Sequence, residues 1–401
     1  ERAFTPQPVC GPARAVLQTG LYATQVGCWR NGIALPTEAT TLAKLLNAGG
    51  YQTGYVGKWH LASTSGSPDE NYRTSPVPPE RRGGYADWWI ASDVLEFTSR
   101  GYEGHMFDAD GEKAEMPEGR YRADFVTDCA LEFLRGPAGR SEKPFFLFIS
   151  TIEPHHQNDR DEFQGPKGSK ERFADFEIPG DLAETEGNWR ENYPDYLGCC
   201  HSLDANVGRI VDQLKQMGEW DNTLLIYTSD HGCHFRTRNA EYKRSCHDDS
   251  IHVPMILHGP GFSGGQTVEG VVSLIDLPPT ILAAAGVEAP PEMQGRDLRG
   301  ALPAGAPGDW EDEAFVQISE SQVGRAIRTR RWTYSAVAPQ RNGGEVPGSR
   351  EYIDDCLYDN DADPHQLNNL IREPDYAEVA DELRERLKVH MVRAGEDEPT
   401  I

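Results

Sequence analysis

The chain has 401 residues, which is enough for one large α/β domain with a smaller companion or for two medium-sized domains. Its 39 Lys and Arg stand against 64 Asp and Glu, a formal net charge of -25, which argues against binding to nucleic acid or to an anionic membrane surface. An acidic protein also repels anionic substrates at long range, so such a substrate would need a local pocket of cationic side chains.

The first predicted element is a helix that begins near Cys10, in the stretch VCGPARAVLQTG over residues 9–20. Pro12 suits the first turn of a helix, where its missing N–H is not needed. The free amide groups of a helix N-terminus also attract an anion. Cys10 is therefore either a buried residue near a helix start or a nucleophile, and the rest of the chain has to decide between the two.

Short apolar runs alternate with helical patterns over the next two hundred residues. The predicted strands are 51–57, 144–150, 223–229 and 253–259. The predicted helices are 37–49, 123–136 and 202–218, each of which is closed by a glycine. This alternation predicts an α/β fold with a mostly parallel sheet that is sandwiched by helices.

Residues 64–122 interrupt this pattern with Gly, Pro, Arg, Asp and aromatic residues and with little periodicity. We interpret the segment as a long excursion from the core, where recognition loops are common. Two interpretations stay open for its large side chains, which could line a sugar subsite or could pack the excursion onto the core. The residues concerned are Arg81, Arg82, Trp88, Trp89, Tyr102 and His105.

The C-terminal part of the chain predicts a smaller unit. A helix is expected over 277–286, and the surrounding apolar stretch 271–287 is broken by Asp276 and two prolines, so it is too short for a membrane span. A Pro/Gly-rich linker is expected at 300–309, followed by antiparallel strands over 314–319 and 325–337 and a helix over 376–394. We therefore predict a large α/β domain over 1–300 and a small α+β domain over 301–401.

Three of the four predicted strands run directly into polar residues. The stretches are YVGKWHL (55–61), STIEPHHQN (150–158) and YTSDHG (227–232). Active sites in open parallel sheets lie beyond the carboxyl ends of the strands, so all three clusters are expected at one rim. Each cluster alone has an ordinary structural explanation, but their agreement with Cys10 favours a functional site.

The motifs at these places resemble those of the formylglycine-dependent sulfatase family, within the alkaline-phosphatase-like superfamily. Cys10-Gly11-Pro12-Ala13-Arg14 matches its C-x-P-x-R signature, and the L-x-T-G pattern follows at 17–20. The GKWH stretch at 57–60 and the TSDHG stretch at 228–232 resemble two further motifs, and Lys243 with 252–261 resembles the segment that carries a second lysine. The resemblance covers nearly the whole chain.

The resemblance implies a sulfuric ester hydrolase that acts on a sulfated carbohydrate or an aryl sulfate. Cys10 would be oxidised by a maturation enzyme to formylglycine, whose hydrate attacks sulfur with one hydroxyl and collapses the sulfate ester with the other. Arg14 would hold this group. The family also implies a periplasmic or secreted location, and neither a nucleic-acid nor a membrane partner is expected.

The remaining roles follow from the same resemblance. Lys58 and Lys243 would bind the sulfate oxygens. His60 would be the base of the elimination step, and His155 would face the leaving-group oxygen, with its neighbour His156 as a second substrate-binding candidate.

A divalent metal, calcium by family, would be bound by Asp230, His231 and the modified Cys10. Family members often carry asparagine where this chain has His231, and an imidazole shifts the preference towards softer ions. Family members also carry two aspartates on a first strand well before the cysteine, so we expect this chain to be part of a longer protein. If its metal ligands lie elsewhere in this sequence, Asp108, Asp110 and Asp248 are the candidates.

Two alternatives stay open. The first is a phosphonate monoester or phosphodiester hydrolase of the same superfamily, which shares the C-x-P-x-R signature. The second is a binding protein that keeps the fold without catalysis.

Overall fold

The structure is a computed structural model that describes residues 2–262, 264–302 and 310–401. The helices within these residues are α1 Cys10–Thr19, α2 Ala23–Val26, α3 Leu42–Ala48, α4 Leu95–Thr98, α5 Arg122–Arg135, α6 Ser169–Arg172, α7 Gly180–Ala183, α8 Trp189–Met217, α9 Asp248–Ile251, α10 Leu277–Ala284 and α11 Ala377–Arg393. The strands are β1 Arg2–Phe4, β2 Gln52–Lys58, β3 Trp88–Ser92, β4 Ser99–Arg100, β5 Glu103–Phe107, β6 Lys113–Glu115, β7 Phe145–Ser150, β8 Leu225–Thr228, β9 His252–Val253, β10 Met255–His258, β11 Val271–Ser273, β12 Glu313–Ile318, β13 Gly324–Thr329, β14 Trp332–Val337 and β15 Ile353–Asp359.

The chain divides into two compact units. The first unit contains Glu1–Asn31, Pro179–Gly187 and Leu224–Ile401, and the second contains Gly32–Ile178 and Asn188–Thr223. The boundary that we predict between residues 300 and 301 falls inside the first unit and stays a prediction.

A mixed sheet forms the centre of the second unit, with the strand order β4-β5-β3-β2-β7 and with β6 beside β5. Strand β2 pairs in parallel with both β3 and β7. In this register Lys58 lies opposite Ser92, and Gly57 lies opposite Ser150. The carboxyl ends of the three strands therefore share one edge of the sheet, which confirms the predicted rim for the residues that follow β2 and β7.

Strand β3 corrects the prediction for the excursion. Its sequence, WWIAS, lies in the segment for which the sequence predicts a long excursion from the core, whereas the structure places it in the sheet beside β2. Trp89 is 2% exposed and stacks on Tyr55, and Trp59 packs against both rings. Because this cluster fills the core, packing and not sugar binding is the role of Trp89.

The helices predicted for this unit are present, and one of them, α8, begins earlier than predicted. Helix α5 covers the predicted segment 123–136, and α3 covers the end of 37–49. Helix α8 begins at Trp189 instead of residue 202, although Pro194 lies inside it. The burial of Trp189 and Tyr193 anchors this first part of the helix, a tertiary contact that no local pattern signals.

Three sheets are found among the described residues of the first unit. Strand β1 lies between β11, to which it is parallel, and β9, to which it is antiparallel. Strands β8 and β10 correspond to the predicted strands 223–229 and 253–259, but they pair in antiparallel register. The parallel arrangement that the sequence predicts is therefore found in the pairs that flank β2 and in the pair of β1 with β11, and not in the pair of β8 with β10.

The C-terminal part of the first unit confirms the predicted α+β pattern. Strands β12 to β15 form an antiparallel sheet in sequence order, and α11 packs on it. Leu383, Leu387 and Met391 of α11 are fully buried against a face that includes Ile327 and Tyr334. Of the predicted linker at 300–309, residues 303–309 lie outside the described residues. Within the described part of the chain, no helix combines the length and the apolar character that a membrane crossing requires.

Candidate active site

Cys10 is the first residue of α1, as predicted. Val9 precedes it in an extended conformation, and Gly20 ends the helix in a left-handed conformation with φ of 68°. The backbone N–H of Gly11 donates to Oδ1 of Asn31 over 2.9 Å. The Cys10 side chain is 2% exposed and points into the protein. Asn31 was not singled out from the sequence, because no motif or periodicity marks it.

Four further side chains gather at Cys10 within the first unit, and we call this group the cysteine cluster: Cys10, Arg14, Asp230, His231 and Lys243. The Lys243 ammonium lies 2.8 Å from Sγ of Cys10 and 3.0 Å from Nε2 of His231. His231 Nε2 is itself 3.3 Å from Sγ. Arg14 Nη2 is 3.2 Å from Oδ2 of Asp230. The structure thus brings together two predicted cations and two predicted metal ligands around the predicted nucleophile.

The backbone fixes the orientation of the His231 ring. Nδ1 of His231 lies 2.7 Å from the carbonyl oxygen of Gly232. Since a carbonyl can only accept, Nδ1 carries the proton and Nε2 presents its lone pair to the cluster. Gly232 itself must be glycine, because a Cβ there would lie 2.3 Å from the carbonyl oxygen of Asp249.

Asp230 is ionised in this setting. Burial alone would raise the pKa of its carboxyl group, but the neighbouring His231, Arg14 and Lys243 outweigh burial and the opposing effect of Cys10, and the pKa is lowered. A partly buried carboxylate that stays charged beside Arg14 and Lys243 is suited to bind a metal ion or to hold a guanidinium.

The donor set of the cysteine cluster fits a divalent ion. Cys10, Asp230 and His231 each offer one ligand atom, and these atoms lie within 4.8 Å of one another. The hydrogen bond from Nδ1 of His231 to a backbone carbonyl is the support that metal-binding histidines commonly have. The residues present can therefore hold such an ion through a carboxylate oxygen and an imidazole nitrogen.

A braced loop carries Lys243 to the cluster. Nε2 of the buried His234 lies 3.1 Å from the carbonyl oxygen of Lys243, and Asn239 Nδ2 donates to the same oxygen over 3.0 Å. The backbone N–H of His234 donates to the carbonyl of Tyr242 over 2.8 Å. His234 and Asn239 were missed from the sequence, since their role is to hold a loop and not to meet a substrate.

A second group of polar residues lies in the second unit, at the edge where β2 and β7 end, and we call it the lysine cluster: Lys58, His60, Glu96 and His155. Lys58 is the last residue of β2, and its ammonium lies 2.9 Å from Oε1 of Glu96. Both side chains are almost fully buried, at 1% and 4% exposure. Glu96 lies on α4 and was not predicted, although a single acidic residue within the apolar stretch VLEFT was a usable signal.

The backbone around Lys58 is tightly constrained. Gly57 has φ of 107°, and a Cβ there would lie 2.0 Å from the carbonyl oxygen of Ser150 on β7. His60 also has a positive φ, 60°, and its N–H donates to the carbonyl of Asp93 over 2.7 Å. The GKWH motif therefore combines a close approach of two strands at Gly57 with a left-handed backbone conformation at His60.

The two histidines that follow β7 differ in their surroundings. His155 Nδ1 lies 2.5 Å from the carbonyl oxygen of His156, which fixes its ring. His156 is 5% exposed, its Nδ1 lies 3.2 Å from Oδ1 of Asn158, and its Nε2 lies 3.1 Å from Asp161. These contacts describe a ring that is held within its own loop, and the substrate-binding role of His156 stays a prediction.

Comparison with protein-family models covers most of the chain. The model described as Sulfatase matches residues 1–287. A second model, described as the C-terminal part of N-sulphoglucosamine sulphohydrolase, matches residues 240–393. The first match contains every predicted site residue.

Individual relatives agree with the family models. The chain is 28% identical to an ulvan-active sulfatase of Formosa agariphila, over 98% of this chain and 74% of that protein. It is 30% identical to the uncharacterised sulfatase YidJ of Escherichia coli, over 97% of this chain and 79% of that protein. Among solved structures, a protein described as a sulfatase, yidJ, from Bacteroides fragilis superposes with a TM-score of 0.83 at 25% identity, over 98% of this chain and 88% of the other.

Proposed function

The chain belongs to the sulfatase family, and on that premise we propose that Cys10 is the position of the nucleophile in the hydrolysis of a sulfate ester. The observation that supports this most directly is the cysteine cluster. Lys243 and His231 both lie within 3.3 Å of Sγ of Cys10, at the start of a helix. A lysine ammonium beside the first residue of a helix suits an anion and the charge that develops on it.

Lys243 is proposed to bind and orient the sulfate group, and Arg14 is proposed to hold the hydrated formylglycine. The positive charges of Lys243 and Arg14 lie beside Cys10 and Asp230. They can therefore attract an anionic substrate that the net charge of -25 would repel at long range. A local cationic pocket outweighs the distant surface charge because salt screens exposed charges beyond about 10 Å.

Asp230 and His231 are proposed to hold a divalent metal ion, which we infer to be calcium from the family. Such an ion, when bound, neutralises charge on the sulfate oxygens. Formylglycine at position 10, made from Cys10 by a maturation enzyme, would add water to its aldehyde and so supply the two hydroxyl groups that cysteine lacks. Arg14 holds Asp230 in place through their contact at 3.2 Å.

The lysine cluster is proposed to serve the same reaction, on the ground of the motifs that it matches. Lys58 would bind sulfate, His60 would accept a proton in the elimination step, and His155 would donate one to the leaving oxygen. The ring of His155 suits this role because its Nδ1 lies against a backbone carbonyl, so that Nε2 is the nitrogen that can exchange a proton.

The substrate class is proposed to be a sulfated carbohydrate. One relative is described as an ulvan-active sulfatase, and the C-terminal family model is named for the hydrolysis of a sulfated glucosamine. A periplasmic or secreted location is proposed from the family resemblance.

The test is an assay of the chain after production in a host that converts the motif cysteine to formylglycine. We expect release of sulfate from an aryl sulfate and from sulfated mono- and oligosaccharides, and mass spectrometry of the Cys10 peptide reports the conversion. Faster turnover of an aryl phosphonate than of every sulfate ester would favour the phosphonate monoester hydrolase alternative. No turnover of either class by fully converted protein would contradict the proposed function and favour a binding protein.

A further inference from the structure

The lysine cluster contains one acidic residue that the proposed mechanism does not use. Glu96 lies on α4, between β3 and β4, and only 5% of it is exposed. Its Oε1 accepts from the Lys58 ammonium over 2.9 Å. Within the described residues, its other oxygen, Oε2, is buried and has no hydrogen-bond partner. A buried carboxylate oxygen without a hydrogen-bond partner lowers the stability of the folded state. The position of Glu96 therefore calls for a physical explanation.

Positively charged neighbours explain how Glu96 can be buried as an anion. Burial would raise the pKa of its carboxyl group, but Lys58, His155 and His60 oppose burial and hold the pKa well below its usual range. Glu96 is therefore an anion at every pH at which the enzyme would work. The groups that act on it are the three residues of the lysine cluster to which we assign roles in the reaction.

Other charged groups on neighbouring elements already have partners. Asp93, which follows β3, accepts from the N–H of Ala62 and the hydroxyl of Ser63. Arg122 on α5 pairs with Glu153 at 2.8 Å. The contact with Glu96 at 2.9 Å is a direct ion pair of the Lys58 ammonium.

A lysine in this position needs an anion to stay charged. Lys58 is 1% exposed, and burial of an ammonium without a counter-charge favours the neutral amine by a large factor. A neutral amine cannot attract a sulfate oxygen electrostatically. An ammonium has three donors, so one bond to Glu96 is compatible with a second bond to an anion.

We propose that Glu96 is a positioning residue that keeps Lys58 protonated and directed for sulfate binding. The inference rests on the proposed role of Lys58 in that site. It assigns to α4, which carries no motif of the family resemblance, a part in setting the pH range over which the enzyme binds its substrate.

The test compares pH profiles of kcat/KM for the formylglycine-converted protein and two variants. Glu96→Gln keeps the size and the acceptor oxygen but removes the charge, so Lys58 should lose its proton at lower pH. We expect the alkaline limb of the profile to move down by at least about one pH unit, the size typical of a lost opposite charge. Glu103→Gln, an exposed glutamate on β5, is the matched control and should leave the profile unchanged.

A second background separates this role from simple structural support. In Lys58→Arg the side chain keeps its charge at all accessible pH values, so adding Glu96→Gln should move the alkaline limb much less than it does beside lysine. A uniform loss of rate at every pH, with the limb in its wild-type place, would overturn the inference.

Binding of inorganic sulfate provides a readout without turnover. Calorimetric titration of Glu96→Gln should show near wild-type sulfate affinity at acid pH, where Lys58 is charged in both proteins. At alkaline pH values at which the wild type still binds sulfate, the variant should bind it at least about tenfold more weakly, which follows from a shift of one pH unit. If Glu96→Gln does not fold, Glu96→Asp keeps the charge at a greater distance and should move the limb in the same direction by less, and a wild-type limb there would overturn the inference. A wild type that hydrolyses no sulfate ester would instead contradict the proposed function.

Discussion

The ammonium nitrogen of Lys243 lies 2.8 Å from Sγ of Cys10, although 233 residues separate them in the sequence. The first residue of α1 and a braced loop after β8 meet at this point. A lysine this close favours the anionic form of whatever group occupies position 10 and also attracts an incoming anion. The first predictions concern these two residues.

Replacing Cys10 with alanine should abolish sulfate release while the protein stays folded. The thiol is the precursor of the nucleophile, and its loss removes only one buried atom from the side chain. Sulfate release and circular dichroism of Cys10→Ala check both parts. The control is Cys200→Ala on α8, which should keep wild-type turnover. Sulfate release at the wild-type rate by Cys10→Ala would rule out the nucleophile assignment.

Replacing Lys243 with alanine should lower kcat/KM by roughly 10²- to 10³-fold, which is typical for the loss of one preorganised charged donor. The His234 and Asn239 contacts are made to its backbone carbonyl, so they survive the substitution. Kinetics with an aryl sulfate measure the effect. Lys143→Ala, at an exposed position before β7, serves as the control. Equal rates for the two variants would place Lys243 outside the reaction.

Local signals explain what the sequence predicts correctly. Pro12 and Gly20 mark the start and end of α1, and glycines 136 and 218 end α5 and α8. Short apolar runs identify β2, β7, β8 and β10 because buried strands need little else.

The features that the sequence misses depend on contacts between distant segments. Strand β3 is recognisable only through its pairing with β2, since WWIAS follows a Gly- and Asp-containing stretch without alternation. The role proposed for Glu96 depends on its contact with Lys58, which lies 38 residues away in the sequence. The antiparallel pairing of β8 with β10 depends on the path of the loop between them, which periodicity does not encode.

Replacing Gly57 with alanine should destabilise the protein by about 3 kcal/mol or more, because the new Cβ would meet the Ser150 carbonyl at 2.0 Å and also suffer the strain of φ at 107°. Gly119→Ala separates the two causes, since Gly119 has φ of 74° but no neighbouring atom within 4 Å of its Cβ position. Its cost should be about 1 to 2 kcal/mol. Urea unfolding measures both, and equal costs would show that the strand contact relaxes freely.

Protonation of His234 should make the protein less stable in acid. Burial lowers the pKa of His234 from 6.5 to about 4, against weaker opposing hydrogen bonds. Between pH 6.5 and about pH 4 the unfolded chain therefore binds a proton at His234 that the folded chain does not bind. The contribution of neutral His234 to the free energy of unfolding is complete above pH 6.5 and is lost as the pH falls. At pH 5 this difference in proton binding lowers the free energy of unfolding by about 2 kcal/mol.

The variant His234→Gln tests this, because its amide can still donate to the Lys243 carbonyl but does not titrate. Urea unfolding at pH 7.5 and pH 5 should show a smaller acid loss for His234→Gln than for the wild type. The exposed His201 on α8, changed to Gln, should show the wild-type loss. The same loss in His234→Gln as in the wild type would assign the acid sensitivity to other groups.

Replacing Asp230 with asparagine should weaken metal binding by at least about tenfold, because hard divalent ions prefer charged oxygen ligands. Calorimetric titration with calcium, and then with zinc, measures the affinity without any need for turnover. His231 offers an imidazole nitrogen, which zinc accepts more readily than calcium, so the loss on Asp230→Asn should be larger for calcium. Asp221→Asn, at an exposed site before β8, is the matched control. An unchanged affinity for both ions in Asp230→Asn would remove Asp230 from the ligand set and leave its carboxylate as a support for Arg14 alone.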